Sequence, residues 1–129
     1  MTPAPSPAPS APLTARDAMD EPGLQVDDHM PVDVALSVLR SARVPHLVLQ
    51  DADGRCSGLV TREQLAAHRG GTWYTDGTRL RDLPLDRGPF TLPAARLSDA
   101  EAAMRGRTLE VSPIVDEYGY TLGVLALTS

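Results

Sequence analysis

Residues 58–70 read GLVTREQLAAHRG and residues 123–129 read GVLALTS. Each stretch opens on a glycine followed by an apolar run of strand character, but only the first continues into a helical pattern. A shift of 65 residues superimposes them, and the same shift aligns Arg16 with Arg81, Asp17 with Asp82, Gly23 with Gly88, Asp51 with Asp116, Gly54 with Gly119 and Gly58 with Gly123. Apolar character persists between these identities, as in Val32/Leu97, Leu39/Met104, Leu49/Ile114 and Val60/Leu125. Two copies of one structural unit account for this.

Each copy repeats one series of elements. A short extended segment, GLQVD at 23–27 and PFTL at 89–92, precedes an amphipathic helix. In VDVALSVLRSA the residues Val32, Leu36 and Leu39 share a face; in LSDAEAAMRG Leu97, Ala100 and Met104 do, with Ser98 and Glu101 spaced as a capping box. Two apolar runs around a tight turn follow. Gly54 and Gly119 stand where a hairpin turn needs positive φ, with Asp51 and Asp116 placed to bond the turn backbone. Gly58 and Gly123 fall inside the second strand of each hairpin, which favours close approach of another backbone or a ligand. Thr61 and Gln64 also fit a capping box, at the start of a helix expected over Thr61–Arg69. The second copy is expected to lack that closing helix.

Composition bounds the rest. The chain has 129 residues, 42% of them apolar and 4% aromatic, with a formal net charge of −5 and arginine as its only strong base. One compact domain-sized body follows, and no basic stripe points to nucleic acid. Residues 1–12, MTPAPSPAPSAP, are a Pro/Ala-rich tail with too little apolar surface to fold. They lack the charged start and apolar centre of a secretory signal, and no run approaches the roughly 18 apolar residues of a membrane span. A cytoplasmic location without membrane attachment is expected. The organisation read from the chain is a disordered tail at 1–12, a first motif at 13–70, a linker at 71–79 and a second motif at 80–129. Trp73 and Tyr74 of the linker are expected to pack over an interface. The lone Cys56 reads as a buried free thiol.

The repeat, the RDAM and RDLP segments that open the copies, LVLQDADGRCSGLVTREQL and PIVDEYGYTLGVLAL together resemble the CBS-domain family, over essentially everything after the tail. The resemblance implies an α/β (α+β) fold of two tandem β-α-β-β-(α) units forming one pseudo-two-fold module. It further implies regulation of an unidentified protein and binding of adenosyl compounds such as AMP, ATP or S-adenosylmethionine, with no cofactor required. Family members hold ribose and phosphate where the second hairpin strand meets the closing helix. Gly58 and Thr61 match that pattern, but Gln64 stands where the family has Asp, and an amide lacks the charge that strengthens a ribose hydrogen bond. In the second copy Ala126 and Ser129 occupy the corresponding positions, so that site reads as disabled. The base would lie against Leu24, Val26 and Leu47. The first N–H groups of a helix at Thr61 suit a phosphate.

A helix cap alone also explains Thr61 and Gln64. His29, His46 and His68 fall in different elements without metal-ligand spacing, and Asp27, Asp28 and Asp33 suit the positive start of the first helix, so no metal site is expected. No catalytic triad, phosphate loop or carboxylate pair is present, which argues against an enzyme. The readings left are a sensor of an adenine nucleotide and a ligand-free dimerisation or protein-interaction module. A homodimer is expected in either case, to cover apolar surface around Val124 and Leu125.

Overall fold

The structure is a computed structural model that describes residues 13–69 and 77–127. The Pro/Ala tail, Trp73, Tyr74 and Ser129 lie outside the described residues. The first unit contains β1 (Gln25–Asp27), α1 (Val32–Ala42), β2 (His46–Gln50), β3 (Cys56–Thr61) and α2 (Arg62–Arg69); the second contains α3 (Leu97–Gly106), β4 (Val111–Val115) and β5 (Thr121–Ala126). No helix follows β5 among the described residues.

In the first unit β1 runs parallel to β2, and β2 pairs antiparallel with β3. The second unit repeats this at the same 65-residue offset. Leu47 faces Val60 and Leu49 faces Gly58 in one hairpin; Ser112 faces Leu125 and Ile114 faces Gly123 in the other. Val26 pairs with Leu49, and its counterpart Thr91 makes a single parallel bridge to Ile114, so the extended PFTL segment reaches the sheet without becoming a full strand.

The helices form where the apolar spacing puts them. Val32, Ala35, Leu36 and Leu39 of α1 are buried, and Arg43 closes the helix in the left-handed conformation with φ 55°. In α3 the buried residues are Ala100 and Met104. Its start differs from the expected Ser98–Glu101 capping box. The N-cap is Arg96 with no side-chain cap bond, because the helix begins two residues earlier than a Ser98 cap would set it and Ser98 falls inside its first turn. The entry is fixed by the chain instead, through Leu97 N–H to the Leu13 carbonyl at 2.8 Å and the Thr14–Arg96 bridge.

Both hairpin turns follow the sequence reading. Gly54 and Gly119 have φ of 83° and 93°. Asp51 accepts from the N–H groups of Asp53 and Arg55, and Asp116 from those of Tyr118 and Tyr120. The two turns also meet. Cys56 N–H donates to the Gly119 carbonyl at 2.8 Å, Arg55 Nε to the Tyr118 carbonyl at 2.8 Å, and the Arg55 guanidinium lies 5.6 Å from the Tyr120 ring centre.

The opening segments are exchanged between the units. A 3-10 turn at Arg16–Ala18 carries Ala15 and Met19 into the core of the second unit, where they pack with Ala100, Met104 and Ile114. The equivalent turn at Leu80–Asp82 sends Leu80, Leu83 and Leu85 into the core of the first, with Leu36, Leu39 and Leu47. Thr14 bridges Arg96 and, 65 residues on, Arg79 bridges Pro31. Asp20 pairs with Val124. Val124 and Leu125 are therefore covered within the chain, at 3% and 1% exposure. The apolar surface expected to require a second copy is absent at that place, because Ala15 and Met19 pack with Leu125 while Val48 and Leu59 of the first unit pack with Val124.

Candidate functional site

A cleft of about 650 Å³ lies between the two units. One wall is the end of β3 and the first turn of α2, with Leu59, Thr61, Glu63 and Gln64; the opposite wall is Leu109 to Val111 and Pro113 at the start of β4. Leu127 after β5, Arg105 and Thr108 at the end of α3, and Asp86 and Phe90 from the segment between the units complete it.

Thr61 is the last residue of β3, held by its pairing with His46. Its N–H donates to Gln64 Oε1 at 2.9 Å, and Gln64 N–H donates to Thr61 Oγ1 at 3.1 Å. This is the reciprocal capping box that the spacing predicts. It uses acceptor capacity on both side chains, so what Thr61 and Gln64 offer the cleft is mainly donors, the hydroxyl hydrogen and the amide NH₂. Phe90 and Asp86 are positioned by arginines. Arg107 pairs with the Asp86 carboxylate and donates to the Pro89 carbonyl at 2.7 Å, while Arg87 donates to the carbonyls of Arg81 and Leu83 at 2.7 and 2.9 Å.

Of the residues singled out from the sequence, Thr61 and Gln64 lie together on the cleft wall. Leu24, Val26, Leu47 and Gly58 are not among the residues that line it. Leu47 is fully buried, facing Val60 within the first core; Val26 packs against that core; Leu24 is 38% exposed. The pleat is the reason. Leu47 and Val60 are cross-strand partners whose side chains share the helix-covered face of the sheet. The wall opposite Thr61 is built from the same two elements, the opening extended segment and the hairpin start, but of the second unit: Phe90, Val111 and Pro113. None of these three is singled out by the sequence, because the repeat implies that the units pair but carries no local signal of which unit supplies this wall.

The strand glycines accommodate the chain itself. A Cβ at Gly123 would overlap the Asp20 carbonyl and the Met19 side chain, and one at Gly58 would stand 3.4 Å from the Asp86 carbonyl. The space at Gly123 is thus filled by the backbone and Met19 side chain of the opening segment, while at Gly58 the Asp86 backbone is at ordinary contact distance. Ala126, in the position equivalent to Thr61, is exposed and has no hydroxyl.

A second cluster joins Asp27, Asp28 and His29, whose ligand atoms lie within 4.8 Å of one another. The sequence reading sets the histidine apart from these acids; the structure brings them together. His29 Nδ1 is 2.9 Å from Asp27 Oδ1 and 3.2 Å from Asp28 Oδ1, and Nε2 faces the Arg81 guanidinium at 2.7 Å. Nε2 thus accepts from Arg81 and Nδ1 donates to Asp27, which occupies both ring nitrogens. The His29 backbone N–H, then its ring, hold the Asp27 carboxyl below the usual carboxylate range. With Arg79 donating to the His29 carbonyl at 2.7 Å, the cluster clasps the exchanged segment to the first unit. Burial pushes the half-buried Cys56 thiol up, away from the thiolate.

Residues 15–71 match the family model of the CBS domain. The first unit is a CBS domain. The fold of the whole chain is that of a CBS-domain pair, and several solved structures share it. Hypoxic Response Protein I, crystallised with two coordinated zinc ions, superimposes with a TM-score of 0.76 at 19% identity over 88% of this chain and 92% of that one. CBSX2 in complex with AMP gives 0.69 at 25% identity, over 88% and 90%. A CBS domain pair in complex with 5′-methylthioadenosine and S-adenosyl-L-methionine gives 0.73 at 15% identity, over 90% of each chain. No curated protein matches the chain. No helix among the described residues is long and apolar enough to cross a membrane.

Proposed function

We propose that this CBS pair is a regulatory module that senses an adenosine-containing compound in the cleft between its units and signals to a partner protein. The observation that carries the reading is the placement of Phe90 in the same apolar cleft as the donors of Thr61 and Gln64. An aromatic ring with Val111 and Pro113 suits a purine, and hydroxyl and amide donors suit ribose oxygens. Two similar structures were solved with AMP and with adenosyl thio compounds, which supports the class of ligand. The residues forming the cleft come from both units and from the segment between them. A ligand that binds one arrangement of the units better than another shifts their packing by its differential affinity, and a partner can read that shift.

With Gln64 in place of a carboxylate, affinity is at best about micromolar, roughly −8 kcal/mol. The test is calorimetric titration of the chain with adenosine, AMP and S-adenosylmethionine, on the wild type and on Phe90→Ala. Binding that the substitution weakens at least tenfold supports the reading; absence of heat with all three ligands at millimolar concentration removes it.

A second reading, a homodimeric interaction module, is favoured by the outer face of α1. Val34, Val38 and Ala42, with Ser37 and Ser41, line a shallow apolar groove, and Val34 is 46% exposed. Two antiparallel copies of such a stripe can pair across a two-fold axis. Sedimentation equilibrium decides it, a monomer at all concentrations being the contrary result.

A further inference from the structure

Three carboxylates line the cleft, Glu63, Asp86 and Glu110, against one cation, Arg105, among the described lining residues. Asp86 is taken by Arg107, whose guanidinium also holds the Pro89 carbonyl, so that pair is closed on itself. Glu63 and Glu110 then face the space with Arg105. The start of α2, the natural place for a phosphate, is occupied by the chain's own groups. Gln64 N–H is bonded to Thr61 Oγ1, and Glu63 already sets a negative charge in the first turn. A phosphate placed there meets a filled cap and a like charge.

We infer that the cleft selects, among adenosine compounds, those with a neutral or cationic 5′ substituent over those with a phosphate tail. The inference rests on the adenosine reading above and specifies the class of compound within it. Base and ribose contacts are common to all such compounds; what differs is the charge carried past the 5′ carbon towards Glu63 and Glu110. A sulfonium or amine there is attracted by the two carboxylates. A polyphosphate is repelled by them, and one arginine does not offset several negative charges. Because these groups are near solvent, the discrimination is about tenfold and shrinks as salt is added.

The test is a charge series on the full chain by calorimetry, with adenosine, S-adenosylmethionine, AMP and ATP at low and high salt, repeated on Glu63→Gln and Glu110→Gln. Both substitutions are at exposed positions, and circular dichroism checks that the fold is kept. The expected result is that ATP binds about tenfold more weakly than adenosine, that S-adenosylmethionine binds at least as tightly as adenosine, and that each substitution narrows the ATP gap. ATP binding as tightly as adenosine overturns the selection while leaving the adenosine reading intact. So does a gap that neither substitution nor salt changes. Binding by none of the four overturns the adenosine reading and the selection with it.

Discussion

Gly123 lies against the Asp20 carbonyl and the Met19 side chain, with no room for a methyl group. Gly123→Ala forces the first opening segment off β5 and is expected to cost about 2 kcal/mol, in the range of overpacked cores. Gly106, at the end of α3, has open space where a Cβ would stand, with no other atom within 4 Å, so Gly106→Ala gains about 0.5 kcal/mol. Urea denaturation of the two variants should shift in opposite directions. His46 supplies a pH dependence. Burial lowers its imidazole below the ordinary value of 6.5, against a hydrogen bond to the Pro22 backbone that raises it. The unfolded chain therefore takes up the proton first as pH falls. Stability is full above 6.5 and is lost as pH falls from there towards the lower folded-state value. The urea midpoint should drop on acidification through this window, with a smaller drop in His46→Gln.

Among the elements, α1 and α3 span the residues that the apolar spacing marks, and both hairpin turns have the glycine φ and aspartate bonds read from the chain. These features are set by contacts within a few residues, so the local sequence reveals them. The start of α3 is not legible in the same way. Leu13 and Thr14, more than 80 positions away, fix it, and they override the Ser98–Glu101 pattern. The exchange of the opening segments is hidden for the same reason, since RDAM and RDLP look alike in isolation and nothing local says which unit receives them. Leu80→Ala tests the exchange. Leu80 is fully buried in the core of the first unit, so the substitution should cost about 3 kcal/mol. Leu92→Ala, at a position 52% exposed, should stay within about 0.5 kcal/mol in the same thermal or urea assay.

At the scale of the whole molecule, the repeat establishes that two units pair, and Thr61 and Gln64 are recognisable because their spacing is itself a local signal. The opposite wall is not. Leu24, Val26 and Leu47 belong to the elements that build such a wall, but the cleft takes its wall from the second unit, and the pleat turns Leu47 into the core. Which unit faces which is a property of the assembled pair. The central claim is that an adenosine compound sits between Thr61 and Gln64 on one side and Phe90 and Val111 on the other. Amide chemical shifts of the isotope-labelled chain, followed as adenosine is added, test it most directly. The largest saturable shifts are expected to cluster at Thr61, Gln64, Phe90 and Val111, with Leu24 and Val26 little changed. Saturable shifts centred on Leu24 and Val26, or no saturable shifts at all, would contradict it.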